Sequence, residues 1–308
     1  MDWTHRLRLR QLQVLLSLAS TQNISHSAEQ LHMTQPALSK WLKELESDIG
    51  LPLFERHARG LRPTSYGQTL IEYATRLGNE MDRARDEMTA LRTGSSGRAV
   101  VGASGAAIAS VVPQAVLALL EGMPHANVQV LEAPMDRLYR QLLEREIDVA
   151  IGRASPRYND PDIASDVLYE ERLHFAVRPG HPLAARRGRL HWKHLLGYRW
   201  VVWTRDIPAR EVLESSLTLA GLSMPRDSVQ SNSLSATTAL VAESDLVAVV
   251  SSRAIELPER QGILRRLPFR LETRGAVAVY WRKDGAGSSA IHGLLAALRK
   301  AAASVSPP

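Results

Sequence analysis

Residues 24–45 read ISHSAEQLHMTQPALSKWLKEL, and the fold turns on how that stretch breaks. Ala28 and Leu31 give a short helical pattern, His32-Met33-Thr34 interrupts it as a three-residue turn, and a second helix follows. Thr34 is placed to cap that helix, and Pro36 stands in its first turn, where a missing N–H costs little. Leu38, Leu42, Leu45 and Ile49 then form one apolar stripe, while Gln35, Ser39, Lys40 and Lys43 occupy the opposite face. A DNA major groove, about 12 Å wide, admits one such helix. Many helical hairpins bind nothing, so spacing alone leaves both readings open.

On the N-terminal side, Leu9, Leu12, Leu15, Leu16 and Ala19 fall at helical spacing before a polar break at Thr21-Gln22-Asn23. On the C-terminal side, Gly50, Pro52 and Gly60 punctuate a segment that fits a two-stranded hairpin carrying Phe54, Arg56, His57, Arg59 and Arg62. If this is a DNA reader, Gln35 suits an adenine edge, Ser39 a base or phosphate, and Lys40 and Lys43 guanine or the backbone. Arg56, Arg59 and Arg62 would reach phosphates or the minor groove. Residues 1–63 therefore read as one domain. From 64 to 92 no proline appears, and Tyr66, Leu70, Tyr73, Leu77, Met81, Ala84, Met88 and Leu91 recur at a mean spacing of about 3.57, between coiled coil and lone helix. A long helix with one narrow apolar stripe is expected to pair with a second copy.

Thr93-Gly94-Ser95-Ser96-Gly97 reads as a hinge, and strands then alternate with helices. Val100–Gly102, Val128–Leu131 and Ile147–Ile151 read as strands around two helices, a β-α-β-α-β order that predicts a parallel sheet. A second set places strands at 174–177, 200–203, 229–231, 246–250 and 276–281, with helices at 210–220, 235–243 and 288–302 and a Ser/Pro tail expected to be disordered.

At 308 residues, with 44% hydrophobic and 23% charged, the chain is long enough for about two globular domains. Zero cysteine excludes disulfides, thiolate metal sites and a thiol nucleophile. The net charge of +6 suggests a polyanionic partner, yet residues 1–92 hold 12 basic against 11 acidic side chains, and 93–308 hold 26 against 21. The excess lies away from the helical N-terminal part, where local placement of a few cations is what counts. No signal peptide or membrane anchor is read, so the expected compartment is the cytoplasm. Gly102-Ala103-Ser104-Gly105-Ala106 misses the nucleophile elbow, because Ala106 stands where glycine is needed. His191 and His194 lack an acidic or cysteine companion at ligand spacing and read as part of a basic surface. No catalytic residue, metal or cofactor is expected.

Ile24 to Leu45, followed by Glu46, Gly50, Leu53-Phe54-Glu55-Arg56, Arg59-Gly60, Thr64 and Gly67, resembles the winged helix-turn-helix of the LysR-type transcriptional regulators. The resemblance implies an α+β protein: a DNA-binding domain over 1–63, a dimerisation helix over 64–92, and an effector domain over 93–308 similar to type 2 periplasmic binding proteins. Lobe one would comprise about 97–167 plus 268–302, and lobe two about 168–267. Implied partners are promoter DNA, a small-molecule effector, a second copy through the linker helix, a tetramer of such copies, and RNA polymerase, with no membrane. The competing reading is a cytoplasmic solute receptor that does not touch DNA.

Open α/β sheets bind ligands beyond the carboxyl ends of their strands and beside helix starts. Such ends fall at Ser104-Gly105, at Gly152-Arg153-Ala154, at Thr204-Arg205 and at Asn232-Ser233. Ser104, Gly105, Thr204, Asn232 and Ser233 suit a carboxylate or hydroxylated ligand, with Arg153 as countercharge. Many family members carry a Gly-x-Gly before the later hydrophobic strand; this chain has Ser244-Asp245 there and resembles a subgroup with a serine–aspartate turn.

Overall fold

The computed structural model describes residues 3–303 apart from 6, 58–59, 94–96, 206, 270, 272–274 and 285–288. The expectations for Arg59, the centre of the hinge, the Leu91 side chain and the Ser/Pro tail lie outside the described residues. The chain divides into two compact units, 1–93 with 144–146 and 94–143 with 147–308.

The first unit holds α1 (Leu9–Thr21), α2 (Ile24–Gln30), α3 (Gln35–Ile49), the hairpin of β1 (Phe54–His57) and β2 (Gly60–Pro63), and α4 (Ser65–Thr93). Asn23 Oδ1 accepts from Ser25 and His26 N–H to start α2, and Thr34 Oγ1 accepts from Ala37 N–H to start α3, which ends at Gly50 with φ +77°. Leu15, Leu18, Leu38, Leu42, Leu45, Leu53 and Leu61 are buried together, so the α3 stripe faces inward as its spacing requires. Glu46 Oε1 accepts from Leu53 N–H at 2.8 Å and Phe54 N–H at 3.0 Å, tying α3 to the hairpin.

Two glycines of the motif have steric reasons. Leu61 N–H donates to Gln22 carbonyl oxygen at 2.7 Å, and a Cβ on Gly60, at φ +131°, would overlap that same oxygen. A Cβ on Gly67 would collide with the Leu53 carbonyl, where α4 leaves the hairpin. Gly67→Ala is therefore expected to destabilise this unit by at least ~2 kcal/mol, through forced displacement of backbone. Urea unfolding followed by tryptophan fluorescence checks this; a loss below ~0.5 kcal/mol would contradict it.

The second unit begins with β3 (Arg98–Ala103), α5 (Ala106–Ala109), α6 (Val111–Gly122), β4 (Asn127–Glu132), α7 (Met135–Leu143), β5 (Val149–Arg153) and β6 (Ile163–Glu171). A second lobe follows: β7 (Leu173–Val177), α8 (Pro182–Ala185), α9 (Trp192–Leu195), β8 (Trp200–Val202), α10 (Pro208–Leu219), β9 (Ser228–Gln230), α11 (Leu234–Ala242), β10 (Val247–Ser251), α12 (Glu256–Arg260) and β11 (Arg265–Arg266). β12 (Gly275–Arg282) and α13 (Ser289–Ala303) return to the first lobe.

The sheet of lobe one runs β4-β3-β5-β12-β6: the three strands read as β-α-β-α-β are parallel as expected, and β12, inserted between β5 and β6, makes the whole sheet mixed. β3 is parallel to β4 and β5, whereas β12 is antiparallel to β5 and β6. The cause is the crossover: β6 leaves for lobe two at Glu171, and β12 comes back beside it, Gly275 opposite Glu171, so the two must run in opposite directions. The carboxyl end of β5, at Arg153 opposite Val277, lies at that same end. In lobe two the order is β11-β7-β10-β8-β9, with β8, β9 and β10 parallel, β7 antiparallel to β10, and β11 antiparallel in turn to β7.

Alternate strand residues serve different faces. Val101 and Ile151 pack against α6 and α13, while Val100 and Ala150 face the Leu138 and Leu142 side of α7. In lobe two, Trp200 and Phe175 anchor one face with Leu213 and Leu217, and the Trp200 Nε1–H donates to Leu195 carbonyl oxygen at 2.8 Å. The serine–aspartate turn has its own ties here. Arg178 donates to Asp245 Oδ1 from Nε at 3.1 Å and Nη2 at 2.8 Å. The buried His181 accepts from Leu183 N–H at Nδ1 and meets the Asp245 carbonyl through Nε2 at 3.3 Å; burial lowers its pKa, consistent with the neutral tautomer these bonds require. No helix among the described residues is long and apolar enough to cross a membrane.

Candidate DNA-reading face and ligand cleft

On α3, Gln35, Pro36, Lys40 and Lys43 are exposed and Ser39 is half-buried beside them. Gln35 Nε2 lies 3.5 Å from Ser39 Oγ, and Lys40 Nζ lies 3.8 Å from Glu44 Oε1 with both side chains well exposed, so neither contact holds its donor strongly against a better partner. These residues share one shallow recess with Ser47 and Asp48. Thr34, spent on its cap, is exposed and starts the helix rather than projecting from its face. Arg56 and Arg62 do not cluster on the hairpin. Arg62 stands opposite Glu55 and Arg56 opposite the buried Leu61, so Arg56 and Arg62 emerge on opposite faces of the ribbon.

In the second unit a cavity of about 510 Å³ opens between the carboxyl ends of the two sheets. Ser104, Gly105, Arg153, Asn232 and Ser233 all line it, so five of the expected residues, drawn from both lobes, meet in one place. Glycines shape it: a Cβ on Gly152 would overlap Ser104 Oγ, and a Cβ on Gly275 would overlap the Arg153 guanidinium. Thr204 does not line the cavity. It stands one step behind, its N–H at 3.0 Å and Oγ1 at 2.7 Å both donating to Asn232 Oδ1, which leaves Asn232 its Nδ2 donor to offer a ligand. Ser233 caps α11, Oγ accepting from Ala236 N–H at 3.2 Å, so here a cap and a cavity residue coincide.

Arg153 is not the free countercharge its position suggested. Its Nη2 donates to Glu171 Oε2 at 3.3 Å, the two side chains 15% and 7% exposed. Burial pushes the Glu171 carboxyl above the usual carboxylate range, against the pull of Arg153, the Ser251 hydroxyl and Arg253. Spacing gave no warning of this group, because only the crossover at the end of β6 buries it. Other lining residues that sequence reasoning missed are Tyr158, whose hydroxyl donates to Asp136 Oδ1 at 2.6 Å, and Trp203. Among the described lining residues stand three guanidiniums, Arg153, Arg157 and Arg205, and four carboxyls, Glu132, Asp136, Glu171 and Glu211.

A small-ligand cleft in a two-lobed α/β unit, preceded in the chain by a winged helix-turn-helix and a long helix, defines a ligand-sensing DNA-binding protein. Residues 9–68 match the family described as "Bacterial regulatory helix-turn-helix protein, lysR family", and residues 92–303 match the "LysR substrate binding domain". The chain belongs to the LysR family of DNA-binding transcriptional regulators, which are not enzymes. It is 31% identical over 292 residues to the transcriptional regulator GalR of Pseudomonas putida, covering 94% of this chain and 73% of that one. To the transcriptional regulator GbpR of Azospirillum brasilense it is 30% identical over 300 residues, covering 96% and 87%. In fold it is similar to full-length CbnR complexed with its target DNA, at TM-score 0.70 and 23% identity, over 96% of this chain and all of that one.

Proposed function

We propose that this regulator reads promoter DNA with the exposed face of α3 and that a small effector in the cleft sets how it does so. Gln35, Ser39, Lys40 and Lys43 enter the major groove, with Thr34 and Pro36 setting the start of the helix against the backbone. Arg56, Arg59 and Arg62 contact phosphates from the hairpin. The observation that carries this reading is the division of α3: its apolar side is consumed by the core, and its other side opens on a shallow recess lined by Gln35, Ser39, Lys40 and Lys43.

Two copies associate through α4, where Tyr66, Tyr73, Leu77, Met81 and Met88 are between 49% and 68% exposed in the single chain. The same stripe borders an apolar recess formed with Trp3, Leu7 and Leu51. Pairs of dimers form a tetramer, working in the cytoplasm beside RNA polymerase.

The effector carries one negative group, seated among Ser104, Gly105, Asn232, Ser233 and Arg205. Four carboxyls against three guanidiniums among the described lining residues disfavour a polyanion. Selection of the full chain on random duplexes is expected to enrich a two-fold-related pair of half-sites about one helical turn apart, or a multiple of it. Recovery of unenriched DNA would contradict the reading and favour a receptor that does not touch DNA.

A further inference from the structure

Glu171 is 6% exposed and lines the cavity, yet only one of its oxygens is engaged. Oε2 is held by Arg153, while Oε1 has no hydrogen-bond partner among the described residues. Ser251, whose hydroxyl acts on this carboxyl, accepts from Ala254 N–H at 3.3 Å, and Oε1 is still left without a bonded partner among the described residues. A buried acceptor left in this state is costly, and a cavity wall is where a ligand can satisfy it.

The acceptor also has a defined neighbourhood. Arg153 follows Gly152, whose missing Cβ gives room to Ser104 Oγ, so Ser104 and Glu171 flank the same two residues of β5. Gly275, opposite Glu171 on β12, keeps the guanidinium in place by leaving space above its backbone. Arg153 neutralises the carboxylate within the pair, so the remaining acceptor calls for a neutral donor, a hydroxyl, and not for an ammonium that would need uncompensated negative charge.

We propose that the effector is a hydroxy acid: its hydroxyl donates to Glu171 Oε1, and its carboxylate lies toward Ser104, Asn232 and Ser233. The assignment rests on the cleft being the effector site, as proposed above. A site built around a hydrogen bond discriminates strongly against the analogue that lacks it, because the protein group is then left buried and unpaired.

The test is isothermal titration of the full chain with matched acids: lactate with propionate, 3-hydroxybutyrate with butyrate, 4-hydroxybenzoate with benzoate, and the neutral polyols glycerol and sorbitol. At least one hydroxy acid is expected to bind tenfold or more tightly than its deoxy partner. In Glu171→Gln, Arg153 claims the amide oxygen and turns an NH2 group into the cavity; the ligand hydroxyl then accepts from a neutral amide in place of donating to a carboxylate, so that margin should narrow to under threefold while the deoxy acid still binds. Equal affinities within every pair would overturn the hydroxyl contact and leave an anion-binding cleft standing. A margin unchanged in Glu171→Gln would also overturn it. Binding of polyols and of no acid would overturn the negative charge of the effector and the hydroxy acid with it. Binding of nothing in the panel would overturn both. Should Glu171→Gln fail to fold, the paired titrations of the unaltered chain decide alone.

Discussion

Replacement of Gln35, Ser39 and Lys40 together by alanine is expected to weaken specific DNA binding by about a hundredfold to a thousandfold. A good base contact is worth about 1–3 kcal/mol of discrimination, and losing two or three of them returns the chain toward its non-specific affinity. Stability should hardly change, within ~0.5 kcal/mol, because Gln35 and Lys40 are exposed and the packing of α3 depends on Leu38, Leu42 and Leu45. Fluorescence anisotropy on a selected duplex and on a scrambled one gives both numbers. A triple variant that still prefers the selected duplex by the original ratio would remove α3 from the reading surface.

The second large effect concerns α4. Leu77→Glu combined with Met81→Glu places two charges on the stripe where a second copy is proposed to pack. In the single chain these side chains are 49% and 51% exposed, so the fold of the first unit tolerates the change. At an apolar interface the buried carboxylates cost several kcal/mol, enough to separate micromolar dimers. Sedimentation equilibrium is expected to give the monomer mass, and affinity for a two-half-site duplex should fall by roughly 10²–10⁴, the gain that linkage of two readers provides. An unchanged mass would show that association lies elsewhere.

The first unit was the more legible part. Capping by Thr34, Pro36 in the first turn and the Leu38, Leu42, Leu45 stripe are local chemistry, and all three appear as read. Arg56 and Arg62 were legible as residues but not as a cluster, because the ribbon's alternation separates them. In the second unit β6 escaped, since it is an edge strand in which Ser165, Asp166, Glu170 and Glu171 interrupt the apolar residues and leave no continuous apolar run. The direction of β12 was equally hidden: a strand pattern carries no sign of polarity, which is set by the crossover. Glu171 follows from both omissions. Its burial depends on β6 and β12 meeting at Gly275, an encounter between residues about a hundred positions apart. Thr204 illustrates the reverse case, a correctly located strand end whose side chain supports Asn232 instead of facing the cavity.

The central claim is that occupancy of the cleft changes how α3 engages DNA. The most direct measurement is a DNase I footprint of the full chain on a selected duplex, with and without a saturating acid found by the paired titrations. The account predicts protection in both states, with a change in its length or in hypersensitive positions when the cleft is filled. Identical footprints at identical affinities, with the acid demonstrably bound, would contradict it.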